Sequence, residues 1–280
     1  MFNFDFYNPT HIVFGKDRLG ELDTLVPKDA KVLITYGGGS AVRSGLIDRI
    51  VAALGNRKVE QFGGIEPNPS LETCERAVAF IKEHGVDFVL AVGGGSVVDA
   101  TKLIVMGATY DGPVIEVMKA GVPEVPVKMV PNPLPFGTVM TLPATGSEMN
   151  NGAVITYGDG KFPVFSSLVF PKFSMLDPTL TFTLPEKQVK NGVIDTFVHT
   201  TEQYLTYPVE GRIQDRFSEG ILKTMIEIGK ETVENPENYD IRANHVWAST
   251  LALNGLIGAG VPQDWATHLI GHELTAAYHL

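Results

Sequence analysis

The sequence has a single cysteine, Cys74, so it cannot form an intrachain disulfide bond. It also has no stretch of about 18 uncharged apolar residues, the length that a membrane-spanning helix needs. Residues 1–10 lack the basic segment and apolar run of a secretory signal peptide. These absences are typical of a protein in a reducing compartment, and we predict a cytoplasmic location.

Basic residues are also scarce. Lysine and arginine number 22 against 32 aspartate and glutamate residues, which gives a net charge of −10 and an isoelectric point of about 5.2. Such a chain offers no basic patch for nucleic acid or an anionic membrane surface, although a local pocket for one small phosphate ligand is compatible with it. We therefore predict a small-molecule substrate, and neither a nucleic-acid nor a membrane partner.

Apolar residues are sufficient for a sizeable core, at 44% of 280 residues. The length allows one large domain or two ordinary ones. Up to residue 183, short β-type runs alternate with helical patterns, which predicts a mostly parallel sheet covered by helices. From residue 184 onward the patterns are helical. We predict an α/β domain over residues 1–183 and an all-helical domain over residues 184–280.

The predicted elements of the first domain are short and separated by turns. The strands are 31–35, 59–62, 87–92, 138–142, 153–157 and 173–176, and the helices are 44–54, 71–84 and 97–106. Residues 112–137 are rich in proline and glycine, so we expect an irregular segment there.

Two glycine-rich turns, residues 37–40 and 93–96, follow predicted strands. Backbone N–H groups at such a turn, together with the N-terminus of the next helix, favour binding of a pyrophosphate. A tight turn that needs glycine for its conformation alone is the alternative, because neither turn has the G-x-G-x-x-G pattern. Two such turns at strand carboxyl ends, where α/β sheets bind ligands, favour a nucleotide.

Two pairs of potential metal ligands lie in the helical half. Asp195 and His199 are four residues apart, as are His268 and His272, so each pair shares one helix face. A carboxylate with two or three imidazoles is typical of a catalytic divalent metal site. Apolar neighbours predict that both helices are largely buried, where such groups need a partner. The neighbours are Val193, Ile194, Phe197, Val198, Leu269 and Ile270. Chance pairing on a helix surface is the alternative.

Other polar groups indicate no function by themselves. His11, His84 and His245 have no comparable neighbours, so structural or solvated roles are expected. The hydroxyl-rich segment 141–148 taken alone is an ordinary polar loop.

Five separated motifs nevertheless occur in one order along the chain. They are Gly93-Gly-Gly-Ser-Val-Val-Asp99, Thr141-Leu-Pro-Ala-Thr-Gly-Ser-Glu148, Asp177-Pro178, Asn191-Gly-Val-Ile-Asp-Thr-Phe-Val-His199 and His268-x-x-x-His272. This combination resembles the iron-containing (group III) alcohol dehydrogenases. Residues 255–268 are similar to the branch that contains butanol dehydrogenases and NADPH-dependent aldehyde reductases.

The resemblance implies a two-domain architecture like that of dehydroquinate synthase. A Rossmann-like dinucleotide-binding domain would precede the helical domain, with one divalent metal, Fe²⁺ or Zn²⁺, between them. The implied metal ligands are Asp195, His199 and His268. The implied catalytic residues are His272, a proton relay that is not a usual ligand, and Asp99, close to the nicotinamide.

The resemblance also implies a set of cofactor-binding residues. The pyrophosphate would be held by Gly94, Gly95 and Ser96, and the cleft lined by Thr141, Thr145, Ser147 and Lys161. The adenosine end would meet Gly37, Gly38, Gly39, Ser40 and Arg43. NAD-preferring relatives tend to carry aspartate at the position of Gly37, and an acid there repels a 2′-phosphate. We therefore predict NADP(H) as the cofactor.

One departure from the family pattern concerns the fourth metal ligand. The family carries a histidine fourteen residues after the third ligand, which would be position 282, whereas the sequence given ends at residue 280. We therefore expect a chain truncated relative to the family. His279 follows His268 by about three helical turns and is an alternative fourth ligand.

The predicted activity is hydride transfer between NADP(H) and an aldehyde/primary alcohol pair, by a homodimer. The metal would stabilise the developing alkoxide and the nicotinamide would supply the hydride. One alternative is a dehydroquinate-synthase-like lyase, which needs a strongly basic pocket. The apolar residues Met149, Trp265 and Leu269 disfavour it. The other alternative is a non-catalytic nucleotide-binding fragment.

Overall fold

A parallel β-sheet forms the centre of the N-terminal part of the molecule. The computed structural model describes residues 1–118 and 132–278. The strands in this part of the chain are β1 (His11–Phe14), β2 (Lys31–Tyr36), β3 (Lys58–Phe62), β4 (Phe88–Gly93), β5 (Phe136–Met140), β6 (Gly152–Tyr157), β7 (Gly160–Phe165) and β8 (Phe173–Leu176). Six of them form one sheet in the order β1-β8-β5-β4-β2-β3, and every neighbouring pair is parallel. The strands β6 and β7 form a separate antiparallel hairpin.

Helices cover both faces of the sheet and make up the C-terminal part. Their bounds are α1 (Leu22–Leu25), α2 (Ser40–Arg43), α3 (Leu46–Leu54), α4 (Leu71–His84), α5 (Gly95–Thr109), α6 (Glu186–Tyr204), α7 (Arg212–Glu234), α8 (Tyr239–Ala252) and α9 (Ala266–Tyr278). The predicted α/β part followed by an all-helical part is therefore confirmed.

The two faces of the sheet carry separate apolar cores because side chains alternate along a strand. In β2, Leu33 packs into the core formed with α4 and α5, whereas Val32 and Ile34 pack into the core on the α1 and α3 side. All six residues of β4 are buried, as expected for a central parallel strand with both faces covered.

The predicted strands and helices occur with shifts at their ends, and two strands were missed. Strand β1 has four residues and lies at the sheet edge, so it has little apolar pattern. Strand β7 contains Pro163, which disfavours a strand prediction. The predicted helix 44–54 corresponds to α3, which begins after Gly45 at φ +71°, and the short helix α2 before it was not predicted. Within the irregular segment 112–137, residues 119–131 lie outside the described part.

The expected burial of both metal-ligand helices is wrong for α9. None of its described side chains is buried, and Leu269 and Ile270 are each 61% exposed. In α6, Ile194 is 60% exposed as well. An apolar residue next to a ligand in sequence points away from it on the helix, and local sequence does not reveal which neighbour covers that side.

None of the described helices is long and apolar enough to cross a membrane.

Candidate active site

Three of the predicted metal ligands meet where helices α6 and α9 approach each other. The ligand atoms of Asp195, His199 and His268 all lie within 4.8 Å of one another. The Asp195 carboxylate is 3.8 Å from His199 Nδ1 and 3.4 Å from His268 Nε2. The two imidazole rings are stacked with centroids 4.5 Å apart. Asp195 and His199 both lie on α6, whereas His268 comes from α9, which is distant in sequence.

The chemistry of this cluster fits a divalent metal ion. His199 Nδ1 is buried and has no hydrogen-bond partner among residues 1–118 and 132–278. A buried nitrogen left without a partner is costly, and coordination would satisfy it. Asp, His and His are ligand types that catalytic sites for divalent metals use.

Protonation of the cluster is compatible with metal binding. Burial acts to raise the pKa of Asp195, but the hydrogen bond with His268 and the neighbouring imidazoles hold it below the usual carboxyl value. Burial lowers the pKa of His199, which favours the neutral ring that a metal requires.

Other histidines lie outside this cluster. The ring of His272 is 6.2 Å from that of His268, edge-on, and His272 lines the cleft described below. His279 lies outside the described residues. His11 and His84 are exposed, and His245 is fully buried with its pKa lowered to about 4 by burial, so none of these three lies in the cluster.

A cleft of about 1200 Å³ connects the metal-ligand cluster with both glycine turns. It follows the carboxyl ends of β2 and β4, where α/β sheets bind ligands. The predicted site residues that line it are Gly37, Gly38, Ser40, Gly94, Gly95, Ser96, Thr141, Thr145, Asp195, His268 and His272.

The second glycine turn and the hydroxyl-rich segment are in close contact. Thr141 N donates a hydrogen bond to Gly93 O at 3.0 Å. A Cβ atom on Gly95 would lie 2.4 Å from Thr145 Oγ1, so this approach requires glycine. The turn therefore exposes backbone N–H groups at the start of α5, a geometry suited to a pyrophosphate.

Several predicted cofactor residues lie beside or beneath the cleft. Gly39 precedes α2 in the left-handed conformation, and Arg43 Nη1 donates to Gly38 O at 3.2 Å. Lys161 is half-buried, and its Nζ donates to Asn68 Oδ1 at 2.6 Å.

Asp99 and Ser147 belong to a buried polar network. Ser147 Oγ donates to Asp99 Oδ1 at 2.5 Å, and Val154 N donates to Asp99 Oδ2 at 2.9 Å. Lys102 Nζ donates to Ser147 Oγ and Asn150 Oδ1, both at 2.8 Å, and to Gly152 O at 2.7 Å. Burial lowers the pKa of Lys102 to about 8, so the amine is still mainly protonated at neutral pH. The network ties α5 to the segment that carries Thr145.

Sequence reasoning missed both Lys102 and Glu202. Lys102 follows Asp99 by three residues in an otherwise apolar helix pattern, which was an available signal. Glu202 follows Asp195 by seven residues, two helical turns, and therefore lies on the same face as Asp195 and His199. Glu202 is 8% exposed and forms a hydrogen bond with His268 Nδ1.

A cleft at the carboxyl edge of a parallel sheet, with an Asp-His-His cluster on adjoining helices, defines a class of metal-dependent, nucleotide-binding enzymes. Residues 9–178 match the family described as iron-containing alcohol dehydrogenase, and residues 189–280 match the C-terminal region of that family. The chain belongs to the iron-containing alcohol dehydrogenase family, and the predicted resemblance is confirmed.

Similar proteins come from several bacteria. The chain is 54% identical over 285 residues to the NADPH-dependent aldehyde reductase YqhD of Escherichia coli and 43% identical over 286 residues to a probable NADH-dependent butanol dehydrogenase of Bacillus subtilis. Each match covers 100% of this chain and 72% of the relative.

Solved structures agree with the fold. The crystal structure of E. coli YqhD superposes with a TM-score of 0.95 at 52% identity, covering 100% of this chain and 72% of the other. The NADH-dependent butanol dehydrogenase A of Thermotoga maritima superposes with a TM-score of 0.93 at 36% identity, covering 100% and 70%.

Proposed function

We propose that this chain is a metal-dependent oxidoreductase that transfers a hydride between NADP(H) and an aldehyde/primary alcohol pair. The observation that carries the proposal is that Asp195 and His268 of the metal-ligand cluster line the same cleft as the two glycine turns. The residues that would hold a metal ion and those that would hold a dinucleotide thus line one cleft. Family membership supports the same reaction class.

The proposed roles follow from where each side chain lies. When bound, a divalent ion such as Fe²⁺ or Zn²⁺ polarises the aldehyde oxygen, and NADPH supplies the hydride. Asp195, His199 and His268 would hold the ion. His272, at the cleft wall, would move a proton toward the product oxygen from a ring nitrogen.

The glycine turn at residues 93–96 would hold the pyrophosphate through its backbone. Thr141 and Thr145 would line the nicotinamide side of the cleft. Proximity of Asp99 to the nicotinamide stays a prediction. Since protein groups bind both of its carboxylate oxygens, we propose that Asp99 acts together with Ser147 by supporting Thr145. Lys161 would contribute from beside Asn68.

The first glycine turn supports NADP(H) rather than NAD(H). Gly37, Gly38 and Ser40 line the cleft without a carboxylate, and Arg43 supplies a cation directly behind Gly38. A 2′-phosphate would meet backbone, a hydroxyl group and a positive charge there. The relatives are named for different cofactors, NADPH in E. coli and NADH in B. subtilis, so a direct test is needed.

Replacing Gly37 by aspartate is expected to lower kcat/KM for NADPH by about 10- to 100-fold, because placing like charges together costs one to several kcal/mol. A Cβ at this position would lie 3.2 Å from the backbone oxygen of Ile65, a close approach that any substitution of Gly37 makes, so an uncharged variant of the same shape is needed for comparison. Steady-state aldehyde reduction with NADPH and with NADH measures the change.

The matched control is Gly37→Asn, which has the same shape without the charge. It should retain the wild-type preference for NADPH. A wild-type enzyme that prefers NADH, or an aspartate variant that behaves like the asparagine variant, would refute the proposed 2′-phosphate site.

The cleft disfavours the alternative of a dehydroquinate-synthase-like lyase. Of the described residues that line it, Arg49 alone is a lysine or arginine, whereas an acidic, phosphorylated substrate needs several.

The alternative of a non-catalytic nucleotide-binding fragment is tested by measuring turnover. Aldehyde reduction by NADPH should require Fe²⁺ or Zn²⁺ and disappear with a chelator, whereas a fragment without catalysis would bind NADPH and reduce nothing.

Three broader features are also proposed. We propose a division into an α/β domain at 1–183 and a helical domain at 184–280, which the separate family matches support.

We also propose that the chain forms a homodimer. Exposed apolar side chains on Phe2, Phe4, Phe6 and Tyr7 support this proposal, and light scattering tests it. A small-molecule substrate without nucleic-acid or membrane partners, and a cytoplasmic location, agree with the acidic composition and the lone, buried Cys74.

A further inference from the structure

The position of Glu202 is unfavourable for the stability of the helix that contains it. It lies in the last turn of α6 and is buried. The carboxyl end of a helix carries a partial negative charge, so a carboxylate there is unfavourable for α6. Burial adds a desolvation cost. Compensating contacts must therefore come from another element.

Those contacts come from the first turn of α9. Glu202 Oε1 accepts hydrogen bonds from Thr267 N at 2.6 Å and from His268 N at 3.1 Å. Glu202 Oε2 is hydrogen-bonded to His268 Nδ1. The backbone oxygen of Glu202 accepts from Asp264 N at 2.8 Å, in the turn before α9. One carboxylate thus caps the helix that carries His268 and also binds the His268 ring.

Helix α9 packs against β7 as well as α6, but it buries little apolar surface. None of its described side chains is buried, and the apolar residues Leu269, Ile270 and Leu274 are exposed. Burial of apolar area, the usual source of helix docking energy, therefore contributes little here. Charge-assisted hydrogen bonds to backbone N–H groups are stronger than neutral ones. The Glu202 carboxylate accepts the hydrogen bonds that join the backbone at the start of α9 to α6.

The hydrogen bond to Nδ1 also decides which nitrogen of His268 faces the cluster. A carboxylate accepts hydrogen bonds and donates none, so it favours the tautomer with the proton on Nδ1. Nε2 lies 3.4 Å from Asp195 Oδ1, which is also a carboxylate oxygen, so without an ion both ring nitrogens face acceptors. An ion held by Asp195 would take the place of a proton on Nε2, and the Glu202 contact would keep the remaining proton on Nδ1. Outer-shell partners of this kind orient metal-bound histidines and fix their tautomer.

We infer that Glu202 is a positioning residue of the metal centre, which docks the start of α9 and presents His268 with Nε2 free for the ion. The inference rests on the proposed function, because it assumes that Asp195, His199 and His268 bind a metal. Glu202 itself contributes no ligand atom to that cluster.

The decisive variant is Glu202→Gln, which keeps the side-chain shape. Its amide NH₂ group can donate to Nδ1, which would move the ring proton to Nε2 and block the ligand atom. Titration of metal-free protein with Zn²⁺ should give a Kd about 10- to 100-fold weaker than that of the wild type. Nitrogen NMR of the His268 ring in the metal-free protein should show a proton on Nδ1 in the wild type and none on Nδ1 in the variant, whatever the state of Nε2.

Two further variants complete the design. Glu202→Ala removes the cap as well as the ring contact, and should weaken Zn²⁺ binding at least as much. Glu186→Gln, at an exposed position on the same helix that pairs with Lys190, is the control and should bind Zn²⁺ as the wild type does. Circular dichroism verifies that each variant is folded.

Zn²⁺ affinity within twofold of the wild type in folded Glu202→Gln, with an unchanged ring tautomer, would overturn the inference. If the wild-type protein binds no Zn²⁺, the proposed metal site fails instead. The ring-nitrogen spectra still test the Glu202 contact in that case, because they need no metal, and an unchanged tautomer would overturn it there too.

Discussion

Replacing His268 by alanine is expected to remove most of the bound metal and nearly all aldehyde reduction. His268 supplies one of only three ligand groups in the described cluster, and it comes from a different helix from the other two. Loss of an outer-shell partner alone typically costs about 10- to 100-fold in metal affinity, so loss of a ligand should cost more than about 100-fold. Metal content per chain, measured by plasma mass spectrometry after dialysis, checks the first effect, and NADPH oxidation checks the second.

The control for this prediction is His84→Ala, because His84 is an exposed imidazole stacked on Phe80, on a helix that contributes nothing to the cluster. It should retain metal and activity. Equal metal content in His268→Ala and wild type would contradict the assignment of the cluster. A variant that retains metal but loses activity would instead indicate that His268 acts on the substrate.

Replacing Lys102 by methionine is expected to destabilise the folded protein by about 3 kcal/mol or more, the range for removing one partner of a buried charge network. Methionine has a similar length, so the main loss is charge and hydrogen bonding. Burial raises the pKa of both Asp99 and Glu148, and the positive charge of Lys102 opposes this. Without Lys102, both buried carboxylates lose a stabilising cation, and the amine's three hydrogen bonds disappear.

Urea unfolding at pH 7 measures this change. Lys190→Met is the matched control, since Lys190 is exposed in an i,i+4 pair with Glu186 and should change the free energy of unfolding by less than about 1 kcal/mol. Because the network supports the segment that carries Thr145, NADPH affinity of the folded Lys102→Met variant should also fall. A change in unfolding free energy below that of the control would contradict this role of the network.

Much of the metal site was present in local sequence. A spacing of four residues places Asp195 beside His199 on any α-helix, and His268 beside His272, because the helical repeat is close to four. The same periodicity places Glu202 on the face that carries Asp195 and His199. Local patterns did not establish which histidine of the second pair is a ligand. The orientation of α9 places His268 Nε2 3.4 Å from Asp195 Oδ1, which supports the proposal that His268 rather than His272 is the ligand.

For other residues, local sequence did not predict burial or hydrogen-bond partners. Asp99 and Ser147 stand in motifs that resemblance associates with the cofactor, yet the tertiary structure brings both to Lys102 beneath the cleft. The apolar neighbours Leu269 and Ile270 predicted burial, whereas both are exposed. Burial and hydrogen-bond partners depend on segments that are distant in sequence, so a single window does not contain them.

The sequence by itself determined the alternation of strands and helices, the glycine turns at strand ends and the helix faces that carry carboxylate and imidazole. Each of these follows from backbone geometry over a few residues. Only the tertiary structure decided that α6 and α9 meet at one cluster, that this cluster opens into the cleft of the glycine turns, and that Glu202 caps α9. The physical reason is that the cluster and the cleft are lined by residues from distant parts of the chain, such as Gly37 and His268, so both depend on how whole elements pack.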